Sequence, residues 1–118
     1  MFNDTVLEHF RNPRNVGEVS GATAAVEVMN PVCGDLLRLS VRIEDGRVAE
    51  ARFKTQGCVA AIAASSVLTE LLARKTSSEL RLITAQQISE ALRTLPPATF
   101  HAAELCADAI AALASKLT

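Results

Sequence analysis

The chain has no tryptophan and no tyrosine, and its only aromatic side chains are four phenylalanines among 118 residues. Bases and sugars commonly stack on such rings, so this shortage argues against a stacking site for either ligand. An excess of one charge is also missing, since twelve basic and thirteen acidic residues give a formal net charge of -1. We therefore expect no nucleic-acid partner and no other polyanionic partner.

Long hydrophobic runs are absent as well. The longest apolar stretch, residues 59–73, is interrupted by Ser65, Ser66 and Glu70 and is shorter than the roughly 20 residues that a bilayer requires. No basic-then-apolar leader precedes residues 3–5, and three widely spaced cysteines do not make a disulfide scaffold. These features predict a soluble protein of a reducing, cytoplasmic compartment, without membrane contact.

Hydrophobic residues make up 49% of the chain, which suits one compact domain over residues 1–118 with an aliphatic core. Apolar side chains at helical spacing predict a short N-terminal helix over residues 3–10. Alternation at period two predicts strands over residues 24–29, 37–44 and 47–55, and Asp45-Gly46 is a strong hairpin signal between the last two strands.

After Cys58 the period changes to that of a helix, which continues to Arg74 and Lys75. Two capping boxes, at residues 76–79 and 84–87, predict two further short helices, and a final helix is expected from about Thr99 to Leu117. The fold class predicted is therefore α+β, with a three-stranded antiparallel sheet, helices packed on one of its faces and a short N-terminal helix.

Metal-ligand side chains stand beside glycine or proline in three distant segments. These candidate ligands are Cys33, Asp35, Cys58 and His101. Thiolate, imidazole and carboxylate on stiff turns can hold zinc or iron, and the same ligands accept either metal. At Cys58 we expect a helix N-terminus, where the helix dipole favours thiolate over thiol.

Each candidate also has a purely structural interpretation. A buried cysteine is often a small hydrophobic residue, and Asp35 or His101 could simply cap a turn or a helix. Four separate structural roles for these four residues are less credible than one shared role as ligands of a metal site. His9, in contrast, lies on a predicted surface helix without a neighbouring ligand type, and we interpret it as structural or partner-facing.

The motifs resemble those of the iron-sulfur cluster assembly scaffolds of the IscU/NifU type over nearly the whole chain. The resemblance rests on residues 6–17, on Cys33-Gly34-Asp35, on residues 51–58 ending in Gln56-Gly57-Cys58, and on residues 95–110. It implies a scaffold rather than an enzyme, which accepts sulfur from a cysteine desulfurase, binds iron, builds a labile two-iron (2Fe-2S) cluster and transfers it to apo-proteins. The implied metal ligands are Cys33, Asp35, Cys58 and His101.

Two positions depart from the family pattern. The third family cysteine, a ligand and sulfur acceptor directly after the histidine, is Ala102 here. Cys106 lies four residues beyond it, a rise of about 6 Å along a helix, and is more easily explained as a core residue than as a displaced ligand or sulfur relay. The family site for an Hsp70-type chaperone maps onto Leu95, Pro96 and Pro97, but Thr99 replaces the family lysine, so we expect weakened recognition.

An alternative function remains open at this point. The chain could be a diverged, zinc-binding paralogue that acts as a regulatory or interaction module of the desulfurase system. Zinc could also occupy the four ligands of a true scaffold as the protein is isolated, because the ligand set does not select between zinc and iron.

Overall fold

The computed structural model describes residues 2–117, so Met1 and Thr118, the ends of the predicted domain, lie outside the described residues. The elements in chain order are α1 Asp4–Arg11, β1 Ala24–Met29, β2 Leu36–Glu44, β3 Arg47–Gln56, α2 Val59–Leu72, α3 Ser77–Leu80, α4 Ala85–Ala91 and α5 His101–Lys116. A short 3-10 turn, Pro97–Thr99, precedes α5. Within residues 2–117, no helix has the length and apolar character needed to cross a membrane.

The strands form one antiparallel sheet in the order β1-β2-β3. The central strand shows the predicted alternation, with Leu37, Leu39 and Val41 buried on one face and polar residues on the other, although Ser40 on the polar face is also buried. Asp45 and Gly46 join β2 to β3 with φ angles of 53° and 76°. Positive φ at both central residues is the turn geometry that matches the twist of paired strands.

Helices α2 and α5 cover the buried face of the sheet, α2 against β3 and α5 against β1 and β2. The packing face of α2 is rich in alanine, whose small side chain lets a helix approach a sheet closely; four of these alanines are fully buried, Ala60, Ala61, Ala63 and Ala64. Leucines fill the remaining space, among them Leu68, Leu72, Leu105 and Leu113. The predicted α+β fold with helices on one sheet face is thus confirmed.

Both predicted capping boxes are present. The Thr76 hydroxyl accepts a hydrogen bond from the backbone N–H of Glu79, and the Glu79 carboxylate accepts one from the Thr76 N–H. Thr84 and Gln87 make the same reciprocal pair at the start of α4. Two polar side chains at fixed spacing therefore determine where these helices begin.

The last helix begins two residues later than the sequence predicts. Residues Pro97–Thr99 form a 3-10 turn, in which the Thr99 N–H donates to the carbonyl of Pro96 at 2.9 Å. Regular α-helical geometry starts only at His101. The helix expected from about Thr99 is present, with its first turn in 3-10 geometry, and His101 occupies the first position of α5.

His9 is buried, contrary to the prediction of a surface position. The residue is 7% exposed, since α1 packs with this face against α2. The ring Nδ1 lies 2.8 Å from the Ser66 hydroxyl, and Nε2 lies 3.5 Å from a carboxylate oxygen of Glu70. Of the two interpretations left open by the sequence, these contacts support the structural one.

Candidate metal centre

Three segments distant in sequence meet at one end of the sheet. Leu36 at the start of β2 pairs with Gln56 at the end of β3, so the residues just before β2 lie opposite the residues just after β3. Helix α2 begins there, with Cys58 as its N-cap residue, and His101 at the start of α5 lies beside it. The antiparallel ladder and two helix N-termini thus bring the predicted ligands together.

Cys33 is presented by a tight turn before β2. The Asn30 side-chain oxygen accepts hydrogen bonds from the N–H groups of Val32 and Cys33, at 2.9 and 3.4 Å. Gly34 N–H donates to the Asn30 carbonyl at 2.8 Å, and Gly34 adopts a φ of 75°, which a residue with a Cβ resists. The turn leaves the Cys33 thiol exposed at the surface.

Asp35 occupies the centre of the site and is only 8% exposed. Its Oδ2 atom lies 3.5 Å from the Sγ atom of Cys58 and 3.7 Å from the Nε2 atom of His101. The Sγ atom of Cys58 and the Nε2 atom of His101 are 4.0 Å apart. Donor atoms of Cys33, Asp35 and His101 also lie within 4.8 Å of one another. The structure therefore places the other three predicted ligand residues near the Asp35 carboxylate.

The spacing of these donor atoms suits a small metal ion. Tetrahedral bonds of about 2.0–2.3 Å place neighbouring donor atoms roughly 3.3–3.8 Å apart, close to the three distances among Asp35 Oδ2, Cys58 Sγ and His101 Nε2. Thiolate and imidazole are ligands for zinc and for iron, and a carboxylate completes a mixed set. Asp35, Cys58 and His101 thus have the spacing of ligands to a zinc ion or an iron of a cluster, and Cys33, whose donor atom lies within 4.8 Å of those of Asp35 and His101, could complete the set.

The expected thiolate character of Cys58 is corrected by the structure. Although Cys58 is exposed as a residue, partial burial of its thiol raises the pKa of that thiol above its ordinary value, and the neighbouring Asp35 carboxylate raises it further. Backbone N–H groups of Ala60 and Ala61, at the start of α2, act in the opposite direction but are outweighed. A bound cation would reverse this balance, because metal coordination deprotonates a thiol.

Cys106 does not belong to this cluster of side chains. It is fully buried in α5, and burial raises the pKa of its thiol to about 12, although a hydrogen bond with Ser65 acts in the other direction. The Ser65 hydroxyl in turn lies 2.8 Å from the Thr55 hydroxyl. This environment supports the core interpretation over the displaced ligand. Ala102, the position of the family's third cysteine, is likewise fully buried.

The predicted chaperone segment is only partly available at the surface. Leu95 is 2% exposed and belongs to the core, and its N–H donates to the Ser89 hydroxyl at 2.9 Å. Pro96 is partly exposed and Pro97 is exposed. A contact with the folded chain would therefore fall on the two prolines rather than on Leu95.

Analysis of the sequence missed one residue of the site. Gly57 lies directly against the Asp35 carboxylate, with no room for a Cβ between them. The only signal was its place before Cys58, and its closeness to Asp35 becomes visible once the register of β2 and β3 is known.

Comparison with known proteins assigns the chain to a family. Residues 1–117 match the family described as NifU-like N terminal domain. The iron-sulfur cluster assembly scaffold protein IscU 1 of Archaeoglobus fulgidus is 44% identical over 110 residues, which cover 93% of this chain and 72% of that protein. The IscU scaffold protein of Azotobacter vinelandii is 42% identical over 115 residues, covering 94% of this chain and 89% of that protein.

Solved structures show the same fold at lower sequence identity. The N-terminal part of a NifU-like protein from Brucella abortus has a TM-score of 0.80 at 19% identity and covers 98% of this chain and 92% of its own. A putative scaffold protein for the SUF system from Fervidobacterium islandicum has a TM-score of 0.81 at 16% identity, with 96% of each chain covered. Sequence match and fold agree, and the chain belongs to the family of NifU-like N-terminal domains.

Proposed function

We propose that this protein is an iron-sulfur cluster assembly scaffold. The observation that carries the proposal is the convergence of Cys33, Asp35, Cys58 and His101 at one end of the sheet, in a chain whose relatives are named as scaffolds. The cluster is cargo, built at this site and then transferred to apo-proteins. No reaction of a small-molecule substrate is part of this function, so the chain is a scaffold rather than an enzyme.

Sulfur enters from the persulfide of a cysteine desulfurase. A thiolate of the scaffold attacks the terminal sulfur of that persulfide, a new S–S bond forms, and the desulfurase cysteine leaves as a thiolate. Among the described residues, Cys33 and Cys58 are the exposed thiols, whereas Cys106 is buried. Cys33 therefore takes the acceptor role that the family gives to the position of Ala102, because the raised pKa of the Cys58 thiol disfavours its thiolate before a metal binds.

The surface beside Cys33 offers a contact area for the desulfurase. Val32 is 93% exposed and Met29 is 60% exposed, so the turn that carries Cys33 presents apolar side chains to solvent. Val16, in the segment 12–17 that matches the family, is 50% exposed. Exposed apolar side chains next to a reactive group favour a protein partner at this end of the molecule.

Asp35 keeps the cluster transferable. Oxygen and nitrogen donors hold an iron-sulfur cluster less firmly than thiolates do, and this site combines two thiolates with one carboxylate and one imidazole. The same set binds zinc when the protein is isolated under air. Apo-protein acceptors with more thiolate ligands bind the cluster more firmly and therefore receive it, in a cytoplasmic setting.

The contact with an Hsp70-type chaperone at Pro96 and Pro97 is weak, because Thr99 replaces the family lysine.

Anaerobic reconstitution tests this function. With desulfurase, cysteine and ferrous iron, the protein should develop visible absorption of a two-iron cluster, which Cys58→Ala and His101→Ala should each abolish. Ala102→Cys restores the cysteine that the family pattern has directly after the histidine and should slow the decay of the cluster. Cys106→Ala is the matched control and should leave the yield unchanged. Equal cluster yields in wild type and Cys58→Ala would refute the proposed scaffold site.

A further inference from the structure

Asp35 and Gly57 face each other at the end of the sheet. The ladder between β2 and β3 pairs Leu36 with Gln56, and one further step along the same register places Asp35 opposite Gly57. The Asp35 carboxylate lies against Gly57, and its Oδ2 atom is 3.5 Å from the Sγ atom of Cys58.

The carboxylate fills the space that a side chain at position 57 would need. A Cβ atom built on Gly57 would lie 2.7 Å from Asp35 Cγ, 2.9 Å from Oδ1 and 3.0 Å from Oδ2. Non-bonded carbon atoms prefer separations of about 3.5–4.0 Å, so a Cβ here and the carboxylate exclude each other. Any residue larger than glycine would have to displace the Asp35 side chain.

Backbone conformation does not explain this glycine. Gly34 has a φ of 75° and no atom within 4 Å of its Cβ position, so Gly34 serves the turn. Gly57 is the opposite case, because it is not among the glycines with positive φ and its Cβ position is blocked. The two glycines of the site thus have different physical roles, one conformational and one spatial.

Displacement of the carboxylate would reach the ligands. The backbone of Asp35 is held, since its carbonyl accepts a hydrogen bond from the Asn30 N–H at 2.9 Å, and little free space surrounds a side chain that is 10% exposed. A push from position 57 would therefore rotate the carboxylate. The atom that moves, Oδ2, is the one within 3.5 Å of Cys58 Sγ and 3.7 Å of His101 Nε2.

We infer that Gly57 is a positioning residue of the metal centre, whose missing Cβ admits the Asp35 carboxylate between Cys58 and His101. The inference rests on the proposed function, because Asp35 is taken there as a ligand. It predicts that Gly57→Ala weakens metal binding only because it displaces the Asp35 carboxylate. A backbone or folding effect of the same substitution would not depend on the side chain at position 35.

A double-mutant cycle in the metal-free protein tests whether a Cβ at position 57 and the Asp35 carboxylate exclude each other. Gly57→Ala should lower the melting temperature in the wild-type background. In the Asp35→Ala background the Cβ has room, so the same substitution should leave the melting temperature unchanged or raise it, as alanine restricts the unfolded chain. An equal decrease in both backgrounds would overturn the inference, whatever the metal site does.

Titration with Co²⁺, followed by its thiolate charge-transfer absorption, tests the ligand part. Gly57→Ala should weaken Co²⁺ binding about 10–100-fold, the range seen when a residue that orients a ligand is changed. Asp35→Ala should weaken it at least as much, and the double variant no more than Asp35→Ala alone. Binding by Gly57→Ala equal to wild type would overturn the role of Gly57 and leave the site intact. A wild-type chain without Co²⁺ binding would instead overturn the metal centre itself, and the positioning role with it.

Discussion

The three cysteines differ in environment although they share one side chain. Cys33 and Cys58 are exposed at the end of the sheet, whereas Cys106 is enclosed by the core and interacts with Ser65. Metal ligation requires the thiolate, and burial raises the pKa of the Cys106 thiol to about 12. One residue type thus serves as a candidate ligand in two places and as packing in the third.

Replacement of Cys106 separates these roles. Cys106→Ala should lower the free energy of unfolding by about 1 kcal/mol, because removal of a buried sulfur atom leaves a small cavity. Urea denaturation of the metal-free protein measures this change, with zinc stoichiometry as the second readout, which should stay at the wild-type value. Loss of desulfurase-driven cluster assembly in a folded Cys106→Ala protein would instead favour the sulfur relay.

At the scale of elements, α1 is attached to α2 by a polar network as well as by apolar packing. The Ser66 hydroxyl accepts a hydrogen bond from the Arg14 N–H at 2.9 Å and lies 2.8 Å from His9 Nδ1. Glu70 faces His9 Nε2 and also the Arg14 guanidinium, which pairs with Glu8 as well. Docking of the N-terminal helix therefore depends on the protonation state of His9.

Acid should weaken this docking. Burial, and then the charge of Arg14, lower the pKa of His9 below its ordinary value, while Glu70 and Glu8 act in the opposite direction. The unfolded chain takes up the proton near pH 6.5, before the folded chain does, so stability should fall as the pH decreases from about 7.5 through this range. The measurement is the melting temperature across pH 5–8.

The matched variant is His9→Gln, which keeps a polar side chain and removes the titrating ring. Its melting temperature should depend less on pH between 7.5 and 5.5 than that of wild type. If both proteins lose the same number of degrees over this interval, other groups are responsible for the pH dependence.

At the scale of the whole molecule, the proposed metal centre joins segments that are far apart in the chain. Residues 33–35, 57–58 and 101 belong to three different elements or their ends, and a metal bound by all of them links the sheet to both large helices. Because the unfolded chain has no such preformed site, binding should stabilise the folded state.

Zinc should therefore raise the melting temperature. Free zinc at 100 times its dissociation constant adds about 2.7 kcal/mol to the free energy of unfolding. Cys58→Ala and His101→Ala should each lose this increase. His9→Gln is the control, because His9 is the second histidine of the chain and lies outside the site; this variant should keep the increase in melting temperature. An unchanged zinc effect in His101→Ala would exclude that imidazole as a ligand.

Much of the architecture is readable from local sequence because its causes are local. Alternation along residues 37–44, the Asp45-Gly46 turn and the capping boxes of Thr76 and Thr84 each depend on side chains a few residues apart, and the structure has all of them. The ligand types were also readable, since the side chains beside Gly34, Gly57 and Pro97 define the chemistry available. The sequence by itself determined the order and type of the elements and the candidate donor groups.

Tertiary structure decided how those groups behave. His9 is buried because α1 packs on α2, and the pKa of Cys58 is raised because burial and Asp35 outweigh the helix N-terminus that the sequence predicts. The contact of Gly57 with the Asp35 carboxylate arises only from the register of the folded sheet. Burial, desolvation and steric exclusion depend on neighbours from distant segments, and only the folded chain brings those neighbours together.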